Sequence, residues 1–255
     1  MLLKDFKINK NDIIQPGKIQ TLVKHNKKIC YFHCKNLFKI PNDKNLYSLF
    51  MLGDNPFTEN IFNKLNNIKI IATNNEVNNN IVSSLPLGIT DTNWCPIIGN
   101  LDVIIEQFNK PKILNKKLLY KNFNIRMDNS YKYRKPLDSL FNHLPWVTVG
   151  KFERSHSGHK KFIEEIYNHK FILCPWGCGI DTHRLWMSLY LGSIPITLYH
   201  PTYKQFRHLP IIFVNNWNEI TEDFLNKKYE EIMNKEYDFS ILTMTYWKEL
   251  LDTLT

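Results

Sequence analysis

Apolar residues along the first half of the chain predict short buried strands separated by helices. The runs at residues 28–32, 46–52, 69–73 and 81–87 are typical of buried strands, with turn-forming residues between them. Residues 58–65 and 101–108 carry apolar side chains at helical spacing. Strands that alternate with helices predict a parallel sheet, and such sheets bind ligands at the carboxyl ends of their strands.

The second half repeats this alternation and predicts a second sheet. Its strands are expected at residues 118–123, 146–149, 171–174, 194–198 and 211–214. Its helices are expected at residues 136–142, 159–168, 182–191, 221–234 and 240–251. Between the halves, Pro111 and its charged flank in NKPKILNKK end the preceding helix. The sequence therefore predicts an α/β protein with two domains, residues 1–112 and residues 113–255.

The segment FILCPWGCGIDTHRLWMSLYLGSIPI, residues 171–196, is the most informative stretch of the chain. It predicts a strand that ends at Pro175, a loop with two glycines, a helix, a stop at Gly192 and a second strand. Asp181 has the chemistry of a helix N-cap, which predicts a mainly structural role for it. The segment is therefore a βαβ unit with a glycine-bearing loop at the helix start.

A loop of this kind can bind an anion. Free N–H groups and the positive end of the helix dipole favour negative charge, and Gly177 and Gly179 would let an anionic group approach closely. His183 and Arg184 add side-chain donors at the same end, and Arg184 can grip phosphate oxygens in a fork. The alternative is an ordinary connection with a capped helix and a surface arginine.

The run CPWGCGIDTHRLWMSLYLGSIPI resembles the signature segment of exostosin-like glycosyltransferases. The resemblance continues through Tyr203, residues 209–211 and the stretch FVNNWNEITEDFL. Upstream, SLPLGIT and LLYKNFNIRMDN resemble further segments of the family, so the similarity covers about the last two thirds of the chain.

This resemblance implies two Rossmann-like domains that face a central cleft, an architecture called GT-B. The C-terminal domain would bind a nucleotide sugar, with a UDP-sugar as the best candidate, and the N-terminal domain would bind a glycan or another hydroxyl acceptor. The implied reaction is an inverting single displacement with no obligatory cofactor. The residues carried over as donor contacts are Arg134, which fits the spacing better than Arg126, with Gly177, Gly179, Asp181, His183 and Arg184.

Three residues depart from the family pattern. Trp176 replaces the usual Arg, Cys178 replaces Asn, and Met187 replaces a Glu that typically meets the ribose hydroxyls of the donor. A thioether accepts hydrogen bonds only weakly, so either another residue does this work or donor binding is altered. The second hypothesis is therefore a catalytically inactive protein that binds nucleotides or carbohydrates.

An inverting transfer needs a base on the acceptor side of the sugar. Asp54 follows the apolar strand YSLFMLG and is expected at the carboxyl edge of the first sheet, although Gly-Asp-Asn-Pro is also a common turn sequence. Asp91, after SLPLGIT, is the second candidate, and His33 is the third.

The sequence does not predict a metal site. No Asp-x-Asp pair is present to hold a cation on a diphosphate, which favours arginine and a helix N-terminus in that role. Cys30, His33 and Cys34 suggest zinc only weakly, because a strand would place His33 on the opposite face and no second ligand pair has suitable spacing.

Charge and composition exclude several classes of protein. The net charge of +9 suits anionic small molecules better than nucleic acid, because the lysines are scattered and form no basic stripe. No apolar run approaches the roughly 18 residues of a membrane span, and the first residues are too short for a signal peptide. We therefore expect a cytoplasmic protein without a membrane span, with its five cysteines reduced.

Overall fold

A computed structural model of the protein describes residues 1, 3–23, 29–33, 47–51, 53–65, 69–93, 95–110, 113, 115–127 and 134–253. It is an α/β protein with two parallel sheets, as the hydrophobic pattern predicts. In the part of the chain that is described, no helix is both long and apolar enough to cross a membrane.

The first sheet contains four parallel strands in the order β1-β2-β3-β4. They are β1 (Ile29–His33), β2 (Tyr47–Met51), β3 (Ile70–Ala72) and β4 (Val82–Ser84). The helices of this half are α1 (Pro16–Val23), the short α2 (Glu59–Phe62) and α3 (Asp102–Phe108).

The sequence pattern did not predict α1. Pro16 and Gly17 are both residues that break helices in their interior, but here they occupy the first two helical positions. Proline is favoured there because its missing N–H would have no helical partner.

The second sheet contains five parallel strands in the order β6-β5-β7-β8-β9. They are β5 (Lys117–Lys121), β6 (Val147–Val149), β7 (His169–Leu173), β8 (Ile194–Leu198) and β9 (Ile212–Val214). The helices are α4 (Arg134–Leu140), α5 (His156–Tyr167), α6 (His183–Tyr190), α7 (Glu222–Met233) and α8 (Met244–Thr253).

The core of the second sheet is built around β7 and α6. Phe171, Ile172 and Leu173 are fully buried, and every α6 side chain from Leu185 to Tyr190 is buried as well. A central strand covered on both faces buries successive side chains, which explains why Phe171, Ile172 and Leu173 show no alternation of apolar and polar residues. The rigid β7-α6-β8 unit holds the loop between Cys174 and Thr182 at the carboxyl edge of the sheet.

The N-terminal segment of the chain packs into the core of the second half, and the C-terminal helix α8 packs into the core of the first half. Leu3, Phe6 and Ile13 join the core of the second sheet. In return, Met244, Trp247 and Leu251 of α8 pack with buried residues of the first half, namely Ile14, Ile19, Val23, Ile29, Leu49, Ile71 and Leu85. The boundary at residue 112 stays a prediction, since both termini cross it.

Candidate functional site

A cavity of about 650 Å³ lies at the carboxyl ends of the second sheet and is lined by both halves of the chain. From the second half it receives the loops after β5, β6 and β7 and the first turns of α5 and α6. From the first half it receives Asp54, Leu87 and residues 95–98. Carboxyl ends of parallel strands are where α/β proteins bind ligands, so this cavity is the candidate site.

Arg184 is a positively charged residue that lines this cavity. It lies on the first turn of α6, and its guanidinium carbon is 5.0 Å from the centre of the Phe162 ring. Its Nη1 is buried and has no hydrogen-bond partner among the described residues. Burial lowers the pKa of Arg184 to about 10, so the side chain is still charged at neutral pH. A buried cation without an anionic partner is costly, and a bound anion would supply that partner.

Arg134 lies beside the glycine loop and is almost fully buried. Its Nε donates to the Trp176 carbonyl at 2.8 Å, and its Nη1 donates to the Asn124 carbonyl at 2.9 Å. The side chain therefore fixes the loop after β7 to the loop after β5 while it adds a second positive charge to the cavity wall.

The two loop glycines leave room for protein groups. A Cβ at Gly177 would lie 2.7 Å from Arg134 Nη2, and a Cβ at Gly179 would lie 2.9 Å from the Asp54 Cα. We expected these glycines to admit an anionic ligand. The space is instead taken by the guanidinium of Arg134 and by the backbone of Asp54, and both glycines line the cavity beside them.

Asp181 is not the N-cap of α6, which corrects the sequence prediction. The cap is Thr182, whose hydroxyl makes no capping bond. The Asp181 carboxylate accepts instead from Trp186 Nε1 at 2.7 Å and from the Leu87 backbone N–H at 2.9 Å. Burial raises its pKa to about 7. The partner in the first half is distant in sequence, and local capping rules contain no information about it.

Further hydrogen bonds hold the start of α6 against the first half. The Asp181 N–H donates to Asn74 Oδ1 at 2.9 Å, and Asn74 Nδ2 donates to the Gly53 carbonyl at 2.6 Å. His183 Nδ1 lies 2.8 Å from the Gly88 carbonyl oxygen. Asn74 has a φ of +49°, a conformation that asparagine tolerates better than most residues. Asn74 thus links the turn that contains Asp54 with the loop that precedes α6.

Asp54 and Asp91 occupy different environments. Asp54 is exposed, lies in the turn after β2, and lines the cavity. Asp91 is not one of the cavity residues, and its Oδ2 accepts from the Gly17 N–H at 2.8 Å in the first turn of α1. Burial raises the pKa of Asp91. The structure therefore brings Asp54 together with the predicted donor residues and places Asp91 at a helix start. The side chain of His33 lies outside the described residues.

Asn122 and His159 are two buried polar side chains that line the same cavity. Asn122 Oδ1 and His159 Nε2 have no hydrogen-bond partner among the described residues, although both side chains are more than nine-tenths buried. Burial lowers the pKa of His159 to about 4, so its ring is neutral at pH 7. Buried polar atoms of native proteins normally have partners, so these two atoms mark a ligand surface or bound water.

Sequence reasoning missed Asn74, Asn122 and His159. A signal was present for Asn74, which follows the strand predicted at residues 69–73, whereas Asn122 falls inside the strand predicted at residues 118–123 and only the observed β5 ends before it. No comparable signal existed for His159, which is one of two histidines on the amphipathic helix α5.

The three departures from the family pattern have clear surroundings. Met187 is fully buried and presents an apolar surface to the cavity. Trp176 packs edge-on against His200, with ring centres 5.2 Å apart. Cys178 is exposed, and its thiol donates to the Met127 carbonyl at 3.1 Å.

Within the described ranges, no three or more His, Cys, Asp or Glu side chains are grouped so that they could hold a metal ion. Cys34 of the weak zinc hypothesis lies outside those ranges. The sequence matches no protein-family model and no curated protein.

Proposed function

We propose that this chain is an inverting glycosyltransferase that moves a sugar from a nucleotide sugar to an acceptor hydroxyl. The sequence resemblance motivates the proposal, and the observation that carries it is Arg184 Nη1, a buried donor in a cavity-lining side chain that has no hydrogen-bond partner among the described residues. A UDP-sugar is the best candidate for the donor. Residues 113–255 would bind it, and residues 1–112 would hold the acceptor across the cavity, as in a GT-B arrangement.

The donor diphosphate would lie at the start of α6. Arg184 offers a free donor atom there, Arg134 adds a second positive charge, and the first turn of the helix adds its dipole. These groups would stabilise the negative charge that develops on the leaving diphosphate. The reaction proposed here therefore has no obligatory metal.

The nucleoside would lie against α5 and the end of β5. Met187 cannot accept a strong hydrogen bond from ribose hydroxyls. Asn122 Oδ1 and His159 Nε2 are partnerless polar atoms in the same cavity, and we assign the role of the missing carboxylate to them.

Calorimetry with uridine diphosphate at low salt tests the donor site. Arg184→Ala should weaken binding about 10- to 100-fold, since hydrogen bonds to charged groups are worth about 1.5 to 3 kcal/mol. The control is Arg207→Ala, because Arg207 is exposed, stacks on Tyr199 and does not line the cavity. Equal affinity of the Arg184 variant and the parent would refute the assignment.

A screen of nucleotide sugars, with and without a chelator, tests the reaction. Turnover that survives chelation supports the proposal, and turnover that needs added manganese or magnesium contradicts its metal-free form. Binding without any turnover would favour the second candidate, a nucleotide- or carbohydrate-binding protein without catalysis, which the buried Met187 motivates.

A further inference from the structure

We propose that His183, and not Asp54, takes the proton from the acceptor hydroxyl. This inference rests on the proposed transferase function and concerns the same cavity. It assigns to His183 a catalytic role in place of the donor contact that the resemblance implies.

The hydrogen bond of His183 fixes its tautomer. Nδ1 lies 2.8 Å from the Gly88 carbonyl oxygen, and because a carbonyl can only accept, Nδ1 carries the hydrogen. Burial lowers the pKa of His183, so the ring is neutral and Nε2 holds a lone pair. The hydrogen bond of this ring to a described residue is the one at Nδ1, which leaves Nε2 without a bond in the described ranges, and His183 lines the cavity.

Two carboxylates lie within electrostatic reach of this ring. Asp54 comes from the turn after β2, Asp91 comes from the segment that reaches α1, and both favour the protonated imidazole. A ring that is neutral at rest and is stabilised after it gains a proton has the properties of a general base. Asp54 is exposed, and no hydrogen bond to a described residue holds its carboxylate in one position.

The start of α6 can serve the donor and the acceptor at once. Successive residues of an α-helix point about 100° apart around its axis. His183 is directed to Gly88 of the first half, whereas Arg184 lies over Phe162 of α5. One helix turn thus presents a base to one side of the cavity and a cation to the other.

The proposed step is a single displacement at the anomeric carbon of the donor sugar. The acceptor oxygen forms a bond to the anomeric carbon while its proton passes to Nε2 of His183. The bond from that carbon to the diphosphate oxygen breaks, and its electron pair stays on the diphosphate, whose charge Arg184 stabilises. The imidazolium, which Asp54 and Asp91 stabilise, then loses its proton to water.

The test compares His183→Asn with Asp54→Asn. In His183→Asn, the amide Nδ2 replaces Nδ1 and keeps the bond to Gly88, while the base is lost. Turnover should fall ~10²-fold or more, while the affinity for uridine diphosphate stays within about twofold. Asp54→Asn should lose less turnover, because it would remove only the electrostatic stabilisation of the protonated His183 ring. Circular dichroism confirms that both variants fold.

The pH dependence of kcat/KM adds a second readout. In the parent, kcat/KM should fall as the pH drops through the pKa of His183, because the protonated ring cannot accept a proton. Asp54 and Asp91 are the carboxylates that favour the protonated ring, and Asp54→Asn should therefore move the fall in kcat/KM to lower pH. His183→Asn should not show this fall in kcat/KM.

Normal turnover of His183→Asn in an active parent background would overturn the inference and leave the proposed function intact. A loss in Asp54→Asn as large as that in His183→Asn would also overturn it and favour Asp54 as the base. If the parent turns over no nucleotide sugar, the proposed function fails and the inference fails with it.

Discussion

At the scale of single residues, Asp181 is a polar group that is buried and held by hydrogen bonds from both halves of the chain. Its carboxylate accepts one N–H from each half of the chain, at Leu87 and at Trp186, and it is almost fully buried. Both neighbours are donors only. The position therefore requires an acceptor at both of its oxygen atoms.

Asp181→Asn should destabilise the protein by about 1 to 3 kcal/mol at pH 8, the cost of leaving a buried donor unsatisfied. The amide NH₂ of asparagine would face either the Leu87 N–H or the Trp186 indole N–H, and neither can accept. Urea unfolding measures the loss, and Asp5→Asn on the surface is the matched control.

Unchanged stability of Asp181→Asn would mean that the carboxyl group is protonated in the folded protein at that pH. The same substitution separates the two interpretations of this residue. An N-cap would tolerate asparagine, whereas a bridge between two donors does not.

Several residues of the site were predictable from the sequence, but their hydrogen-bond partners were not. The end of the strand predicted at residues 46–52 singled out Asp54, the predicted helix start after the glycine loop singled out Arg184, and both line the cavity. The bonds of Asp181 to Leu87 and of His183 to Gly88 join residues about a hundred positions apart, and no periodicity reports such contacts.

At the scale of elements, the predicted β7-α6-β8 unit was accurate because each of its signals is local. The helix was expected at residues 182–191 and extends over His183–Tyr190, and β8 has the predicted bounds. Strand and helix periods, a proline and a glycine stop are all properties of neighbouring residues. The groups that occupy the space beside the two loop glycines are not local in the sequence, because they belong to Arg134 and Asp54.

The two loop glycines should therefore respond differently to alanine. At Gly179 the new Cβ would meet the backbone of Asp54 at 2.9 Å, and a backbone atom cannot move aside cheaply. At Gly177 it would meet the end of the Arg134 side chain, which can shift. Gly179→Ala should cost about 1 to 3 kcal/mol of stability, and Gly177→Ala should cost less.

Thermal and urea unfolding of the two variants give the comparison, with each serving as the matched control for the other. A larger loss in Gly177→Ala would show that the Arg134 guanidinium is held more rigidly than the Asp54 backbone. Binding of uridine diphosphate should weaken in Gly177→Ala even where stability is kept, because Arg134 is displaced.

At the scale of the whole molecule, the two halves are joined by more than the cavity. Residues near the N-terminus complete the core of the second sheet, and α8 completes the core of the first. We therefore expect the protein to unfold as one cooperative unit. Two sheets were predictable from the sequence, but this exchange of terminal segments was not, because an amphipathic helix does not indicate which core it covers.

Trp247→Ala tests this cooperativity. Trp247 is fully buried against the first half, and replacing a buried tryptophan by alanine costs about 3 to 5 kcal/mol. The unfolding transitions reported by a probe on α8 and by a probe on the second sheet should shift together. Lys248→Ala, on the exposed face of the same helix, is the control. Two separate transitions in the variant would contradict a single unit.

The position of α8 also affects how the protein is made. During synthesis on the ribosome, the four strands of the first sheet emerge long before residues 244–253, which cover part of their core. The nascent first half must therefore keep apolar surface exposed while the entire second half is translated. Such an intermediate is a natural client for chaperones, and a slow translation rate would lengthen its exposure.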